Sequence, residues 1–189
     1  MKTIAVLGAG TWGTALAIHL GRIGHSVRLW ARDPALCAEL LAQRRNPIYL
    51  PEIPLPLTVV PTSSLAEAVG ATAFVVAAIP SHGTRSVMRK VAPHVRADTT
   101  VVSATKGLEE QSLLRVSQVI AQELSEGIPV VVLSGPSFAL EVARQLPTAI
   151  CVASTDAAAV LEVQREFRAR YFRLYASADV AGVEIGGAL

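Results

Sequence analysis

Three glycines with the spacing GxGxxG, namely Gly8, Gly10 and Gly13, come directly after a hydrophobic run at the N-terminus. In a dinucleotide-binding turn the first glycine makes the tight bend, and the second lets the backbone approach a pyrophosphate. The third lets the following helix pack closely on the strand. The positive end of that helix then faces the phosphates. The spacing and its position therefore predict dinucleotide binding, and a glycine-rich turn used only for packing is the alternative.

A second chemical signal lies after the second hydrophobic run, where Arg32, Asp33 and Pro34 follow one another. Folds that prefer NAD usually carry a carboxylate at this strand tip, where it binds the ribose hydroxyls. Asp33 instead suits the N-cap of the next helix, with Pro34 at the first helical position. Arg32 then faces the adenosine, where a guanidinium can pair with a 2′-phosphate or stack on adenine. We infer that NADPH is accepted and can be the preferred cofactor, unless Arg32 is merely a solvated loop charge.

Further polar residues follow the later hydrophobic runs. Lys106 comes shortly after one of them and can offer a cation to a phosphate, a carbonyl or an alkoxide. Gly135 allows close backbone approach, and Ser137 at the start of another helix suits an anion or a polyol hydroxyl. Taken alone, this Gly-Pro-Ser segment could equally be an ordinary capped turn. His82 also follows a strand, but most lone histidines in such positions are not catalytic.

Short β-rich runs and longer helical stretches alternate along the chain. The predicted strands are Thr3–Leu7, Ser26–Ala31, Thr58–Val60, Ala73–Ala78, Thr100–Ser103 and Val130–Leu133. The predicted helices between them are Thr11–Gly21, Pro34–Gln43, Ser64–Val69, Thr84–Lys90 and Leu113–Leu124. This alternation indicates βαβ units and hence a Rossmann-like α/β fold, a doubly wound and mostly parallel sheet.

Three segments depart from the simple alternation. Ala149–Ala153 and Tyr171–Tyr175 flank a predicted helix at Ala157–Arg168 and are expected to add strands of mixed orientation at the sheet edge. The proline-rich stretch Asn46–Pro61 is expected to be one long irregular connection, and loops of that length are often functional.

Composition narrows the class of protein. Hydrophobic residues make up 51% of the chain and charged residues 17%, which is typical of a globular domain. The net charge of +2 is too small to indicate nucleic-acid binding. The apolar stretch Ala68–Pro80 is too short to span a membrane. The two cysteines, Cys37 and Cys151, predict neither a disulfide framework nor a zinc site, and they fit a reducing cytoplasm.

Five motifs together make the chain recognisable. It resembles the NAD(P)-dependent glycerol-3-phosphate dehydrogenases, the bacterial type most of all, over essentially its full length. The resemblance rests on GAGTWGTALA (Gly8–Ala17), NPIYLP (Asn46–Pro51), SATKGLE (Ser103–Glu109), LSGPSFA (Leu133–Ala139) and DVAGVEIGGAL (Asp179–Leu189). Five motifs in this order are far more specific than the glycine-rich turn alone.

The resemblance implies reversible hydride transfer between C2 of sn-glycerol 3-phosphate and the nicotinamide of NAD or NADP, with dihydroxyacetone phosphate as the other partner. It also implies a role in phospholipid synthesis and a homodimer of the full-length protein. The residues implied to contact the cofactor, beside the glycines, are Thr11, Trp12, Arg32, Lys106 and Ala139. Those implied to bind the substrate are Lys106, Gly135 and Ser137. No metal site is implied.

The end of the chain carries a further expectation. Residues 1–178 are expected to form the dinucleotide-binding domain, and Asp179–Leu189 to begin the first helix of a truncated substrate domain. In the family this motif continues into the lysine that transfers the proton, so we expect no catalytic residue within the chain and no helical second domain. The alternatives are another dehydrogenase acting on a hydroxy acid or sugar nucleotide, a non-catalytic NAD(P)H-sensing module, and a flavin-binding domain.

Overall fold

The computed structural model describes residues 1–188, which contain ten strands and eight α-helices. The strands are β1 (Thr3–Leu7), β2 (Ser26–Trp30), β3 (Arg45–Asn46), β4 (Leu50–Pro54), β5 (Val59–Thr62), β6 (Phe74–Ala77), β7 (Thr100–Ser103), β8 (Val130–Ser134), β9 (Thr148–Ala153) and β10 (Phe172–Ser177). The helices are α1 (Thr11–Arg22), α2 (Pro34–Gln43), α3 (Leu65–Val69), α4 (Ser81–Val91), α5 (Val116–Glu123), α6 (Ala139–Ala143), α7 (Ala157–Phe167) and α8 (Val180–Ala188). A short 3₁₀ turn at Ala92–His94 follows α4.

Eight strands form one sheet in the order β10-β9-β8-β7-β6-β1-β2-β5. All neighbours are parallel except β8 and β9, so the edge strands β9 and β10 run against the others. The chain winds outward from β1 through β2 to β5, and then crosses back to place β6 on the other side of β1. The carboxyl ends of β1 and β6 therefore border a crevice at a topological switch point, where α/β sheets bind ligands. The predicted fold class is confirmed.

The sheet is buried on both faces, because helices cover each side. In β1, Ile4 and Val6 face one hydrophobic core, while Ala5 and Leu7 face the other. Phe74 from β6 packs edge-to-face on Phe167 from α7, with ring centroids 5.2 Å apart. This double burial explains why the strands are nearly continuous apolar runs.

The expectation of an irregular stretch from Asn46 to Pro61 is wrong. The segment forms an antiparallel hairpin of β3 and β4, followed by β5, and the predicted strand Thr58–Val60 is displaced toward its C-terminus. Two prolines, Pro51 and Pro54, lie in β4. A two-stranded ribbon tolerates them because each of its strands has a free edge that needs no amide donor.

The predicted helix Leu113–Leu124 begins later in the structure, at Val116. Leu113 has φ +56°, a left-handed conformation that a right-handed helix cannot include. Helix α4 begins earlier than predicted, at Ser81, directly after Pro80. Local propensity alone did not reveal either boundary.

Helix α8 begins as expected after Asp179, whose carboxylate accepts a hydrogen bond of 2.8 Å from the Gly182 amide. Its Glu184 is almost fully buried against the start of α5, where the Ser117 amide and the Arg115 guanidinium each donate to it at 2.8 Å. The helix therefore packs against the rest of the domain through Glu184 and, further along, through the close approach of Gly187 to Ser134. The last residue of the predicted segment, Leu189, lies outside the described residues, and the predicted domain division at residue 179 stays a prediction.

Candidate functional site

The glycine-rich turn has the geometry that its spacing predicts. Gly8 has φ +113°, and a Cβ there would collide with the carbonyl oxygen of Ala78. A Cβ on Gly13 would collide with the Gly8 carbonyl oxygen. A Cβ on Gly10, in contrast, would have no atom of the described residues within 4 Å, beyond its chain neighbours. Gly8 and Gly13 are therefore required by the fold, whereas Gly10 leaves open space beside the turn.

The N-terminus of α1 is free to meet an anion. Gly10 is its N-cap residue and provides no side-chain hydrogen bond, and the first turn contains no acidic residue. The first amides of a helix have no partner within the helix and carry a partial positive charge. These features fit a phosphate group seated on the turn.

Asn46 supports the glycine-rich turn from its buried side, a role that the sequence did not reveal. Its side-chain amide is fully buried and donates to the carbonyl of Ala9 at 2.9 Å and to the hydroxyl of Thr14 at 2.8 Å. Its own oxygen accepts a hydrogen bond of 3.1 Å from the Tyr49 amide. The asparagine thus ties the β3–β4 hairpin to the glycine-rich turn. The available signal was the position of Asn46 at the head of the NPIYLP motif.

A cleft of about 490 Å³ opens at the carboxyl ends of β1, β6 and β7. It is lined by Gly10, Thr11, Trp12, Gly13, Ala78, Ile79, Pro80, Ala104, Thr105, Lys106, Ser137, Phe138 and Ala139. Seven of the predicted site residues therefore share one cleft of a size ordinary for a ligand site. They come from the glycine-rich turn, the segment after β7 and the segment after β8.

On the far side of the cleft, two polar side chains converge on one backbone oxygen. The exposed Lys106 ammonium donates to the Gly135 carbonyl at 3.1 Å, and the Ser137 hydroxyl donates to the same carbonyl at 3.2 Å. Gly135 has φ +145°, and a Cβ on it would lie 3.3 Å from the Cα of Ile150. The predicted substrate residues Lys106, Gly135 and Ser137 are thus brought together.

Thr105 is a second structural residue that sequence reasoning missed. Its buried hydroxyl lies 2.8 Å from the Ile79 carbonyl and 3.2 Å from the Ala77 carbonyl, and it accepts from the Ile79 amide at 3.3 Å. It therefore joins the ends of β6 and β7 at the floor of the cleft. The residue immediately after it is Lys106.

Arg32 and Asp33 lie at the end of β2. The Asp33 carboxylate accepts a hydrogen bond of 2.9 Å from the Ala35 amide, which confirms its predicted N-cap role. Arg32 is exposed and makes no hydrogen bond or ion pair within residues 1–188. It does not line the cleft, although the Trp30 carbonyl two residues earlier accepts a 3.1 Å hydrogen bond from Gly8. Its contact with the adenosine end of a cofactor stays a prediction.

His82 lies outside the cleft. It borders a separate depression of about 240 Å³, together with Arg85 and Glu109. Hydrogen bonds from Arg85 and then from Ser112 lower the pKa of the Glu109 carboxyl to about 2. This depression is therefore bordered by a charged network in which Arg85 and Glu109 are already paired with each other.

Two features typical of other classes of protein are absent from residues 1–188. No described helix is long and apolar enough to cross a membrane. No group of three or more histidine, cysteine, aspartate or glutamate side chains in that range is arranged to hold a metal ion.

A doubly wound sheet whose GxGxxG turn opens a helix at the switch point defines a Rossmann-type dinucleotide-binding domain. A family profile described as the N-terminus of NAD-dependent glycerol-3-phosphate dehydrogenase matches residues 3–160. The chain belongs to this family, and the resemblance inferred from the five motifs is confirmed.

Individual relatives agree with the family match. Glycerol-3-phosphate dehydrogenase [NAD(P)+] of Koribacter versatilis is 47% identical over 192 residues, which cover 100% of this chain and 57% of that protein. The crystal structure of glycerol-3-phosphate dehydrogenase from Coxiella burnetii superposes with a TM-score of 0.93 at 37% identity, over 98% of this chain and 57% of that one. The enzyme from Plasmodium falciparum gives a TM-score of 0.91 at 26% identity, over 100% and 55%. The chain therefore spans about half the length of the relatives it matches.

Proposed function

We propose that this chain supplies the cofactor side of an NAD(P)-dependent glycerol-3-phosphate dehydrogenase. The reaction is the reversible transfer of a hydride between C2 of sn-glycerol 3-phosphate and the nicotinamide, with dihydroxyacetone phosphate as the other partner. The observation that carries the proposal is the single cleft that joins the glycine-rich turn to Lys106 and Ser137. Family membership supports the same assignment.

The cofactor side is built from the turn and the residues across from it. The amides at the start of α1 and the open space at Gly10 suit the pyrophosphate. Thr11 and Trp12 line the cleft beside the turn, and Ala139 lines its far end, where the nicotinamide would lie. Bound NADPH would supply the hydride, and the cleft residues would hold its ring in place.

The substrate side needs a cation and hydroxyl donors for a phosphorylated polyol. Lys106 and Ser137 both donate to the Gly135 carbonyl, and each can exchange that contact for an oxygen of the substrate. An ammonium group is well suited to a phosphate or to the developing negative charge on the C2 oxygen. We therefore assign substrate binding to Lys106, Gly135 and Ser137.

Hydride transfer from an alcohol also requires a base that removes the hydroxyl proton. By the resemblance of the DVAGVEIGGAL motif, we assign that role to a lysine following Leu189. We further place the full-length protein in the cytoplasm as a homodimer that makes a precursor of glycerophospholipids.

The test uses the 189-residue chain. We expect it to bind NADPH but not FAD, and not to reduce dihydroxyacetone phosphate, because the proton donor is assigned outside it. Isothermal titration calorimetry measures binding, and NADPH absorbance measures turnover. Binding of FAD in place of NADPH would contradict the cofactor assignment, and sustained turnover would contradict the assignment of the base.

A further inference from the structure

Arg85 and Glu109 form an ion pair within a larger network of charged side chains. Nε of Arg85 lies 2.7 Å from Oε1 of Glu109, and Nη2 lies 2.8 Å from Oε2. The pair is bidentate and partly shielded, with side-chain exposures of 26% for Arg85 and 14% for Glu109. Such fork-to-fork pairs fix geometry as well as contributing energy.

The arginine end of this pair is held firmly. Nη1 of Arg85 donates to Glu123 at 2.8 Å, and Nη2 also donates to the Gln122 side chain at 2.9 Å. Arg85 lies on α4 and its partners Gln122 and Glu123 lie in α5, so the guanidinium is fixed between two helices. Helix α4 begins directly after Pro80, which lines the cofactor cleft.

The glutamate end belongs to the loop that carries Lys106. Glu109 exchanges backbone hydrogen bonds with this loop: its amide donates to the Leu114 carbonyl at 3.0 Å, and its carbonyl accepts from the Leu113 amide at 2.8 Å. Gly107, between Lys106 and Glu109, has φ +103° and packs on Ser81 at the start of α4, so that a Cβ would lie 3.3 Å from the Ser81 hydroxyl. Only Gly107 and Leu108 separate Lys106 from the clamped glutamate.

We propose that Glu109 is a positioning residue: its bidentate pair with Arg85 holds the loop so that Lys106 faces the Gly135 carbonyl and the cleft. The proposal rests on the proposed function in one respect, namely that Lys106 contacts the bound cofactor. Without the pair, Lys106 remains exposed, but its loop loses the side-chain link to α4 and keeps only the packing of Gly107 on Ser81. The hydrogen bond from Arg85, and then that from Ser112, lower the pKa of the Glu109 carboxyl to about 2, so this carboxylate carries its charge at neutral pH.

The test is a double-mutant cycle on NADPH affinity with Glu109→Gln, Lys106→Ala and the double variant. If Glu109 acts through Lys106, Glu109→Gln weakens NADPH binding at least about threefold in the wild-type background. In the Lys106→Ala background the same change has no measurable effect. A purely structural role for Glu109 would weaken binding by the same factor in both backgrounds, and that result would overturn the proposal, as would unchanged affinity in Glu109→Gln alone.

Two further variants keep the test decisive. Arg89→Gln is the matched control, because Arg89 pairs with Glu123 at 2.9 Å but does not touch Glu109; its NADPH affinity is expected to stay unchanged. Arg85→Lys replaces the planar guanidinium by a point charge and is the substitute variant if Glu109→Gln does not fold. It is expected to weaken NADPH binding when Lys106 is present and to have no effect in the Lys106→Ala background. The single variant Lys106→Ala tests the contact between Lys106 and the cofactor separately from the positioning role of Glu109. Unchanged NADPH affinity in this variant would contradict the Lys106 contact in the proposed function itself.

Discussion

The side-chain amide of Asn46 donates a 2.9 Å hydrogen bond to the carbonyl of Ala9, inside the glycine-rich turn. A second hydrogen bond of 2.8 Å reaches Thr14 in α1, so one buried asparagine joins the hairpin, the turn and the helix. The backbone that would cradle a pyrophosphate is therefore fixed before any ligand arrives. Preorganisation of this kind reduces the cost of ordering a site on binding.

Replacement of Asn46 by alanine is expected to weaken both the fold and the site. It leaves the Ala9 carbonyl and the Thr14 hydroxyl buried without their donor, and we expect the free energy of unfolding to fall by about 2 kcal/mol. NADPH affinity should fall as well. Urea denaturation and calorimetric titration measure the two effects. Thr62→Ala is the control, because it removes hydrogen bonds to Glu67 and from the Ser64 amide nearer the surface; an Asn46 variant equal to it in both assays would contradict this role.

Arg32 is expected to select between the two cofactors. Arg32→Asp places a carboxylate where a 2′-phosphate would lie, so NADPH affinity should fall by at least about tenfold, while NADH affinity changes little. Fluorescence titration with both cofactors measures the ratio. Arg168→Asp makes the same charge change at the C-cap of α7 and should leave that ratio unchanged. Equal losses for NADPH and NADH in Arg32→Asp would exclude recognition of the 2′-phosphate.

Stability should depend on pH through His19, which is buried in α1. Its Nε2 donates to the Phe167 carbonyl at 2.7 Å, and in the neutral ring its Nδ1 accepts from the Tyr171 hydroxyl at 2.8 Å. Burial lowers its pKa from 6.5 to about 4. Above pH 6.5 the neutral His19 makes its full contribution to the stability of the native state. As the pH falls toward 4, the unfolded chain gains a proton that the native chain does not, and stability drops by up to about 1.4 kcal/mol per pH unit.

The measurement for His19 is urea denaturation at several pH values across that interval. His19→Gln keeps a donor and an acceptor but cannot titrate, so its stability should change less with pH than that of the wild type. The carboxylates contribute equally to the pH dependence of stability in the wild type and in the variant. The difference between the two proteins therefore isolates the contribution of His19. Parallel curves for the two proteins would contradict the assignment.

Glu184 should anchor α8 to the rest of the domain. Its carboxylate is 7% exposed and accepts from both Arg115 and Ser117. Glu184→Ala leaves the Arg115 charge without its partner, and we expect a loss of about 3 kcal/mol together with faster hydrogen exchange in α8. Glu52→Ala is the matched control, because Glu52 pairs with Arg144 at the surface and should contribute less than about 1 kcal/mol. Similar losses in the two variants would refute the anchoring role.

The parts of the fold that could be predicted from sequence are those that depend on neighbouring residues. The strand Thr3–Leu7 and the helix Pro34–Gln43 have the predicted bounds, because apolar periodicity and an Asp-Pro cap are local signals. The glycine-rich turn is equally predictable from sequence, since each of its three glycines meets a separate local steric requirement. The order of the motifs along the chain then identified the family.

The rest depends on contacts between residues distant in sequence. Asn46 bonds to Ala9, 37 positions away, and Arg85 bonds to Glu109, 24 positions away; no local pattern specifies either pair. The β3–β4 hairpin was missed because prolines normally indicate a loop, and here they occupy the free edges of a ribbon. The left-handed conformation of Leu113 likewise depends on the loop around it.

Replacement of Gly10 by valine tests whether the glycine-rich turn binds a dinucleotide. Gly10 has φ −75°, which valine can adopt, and no atom of the described residues beyond its neighbours lies within 4 Å of a Cβ there. The variant should therefore unfold at the same urea concentration as the wild type. Because the added side chain occupies the place of the pyrophosphate, its NADPH affinity should fall by at least about tenfold, or ~1.4 kcal/mol. Undiminished NADPH binding by a folded Gly10→Val chain would contradict the account.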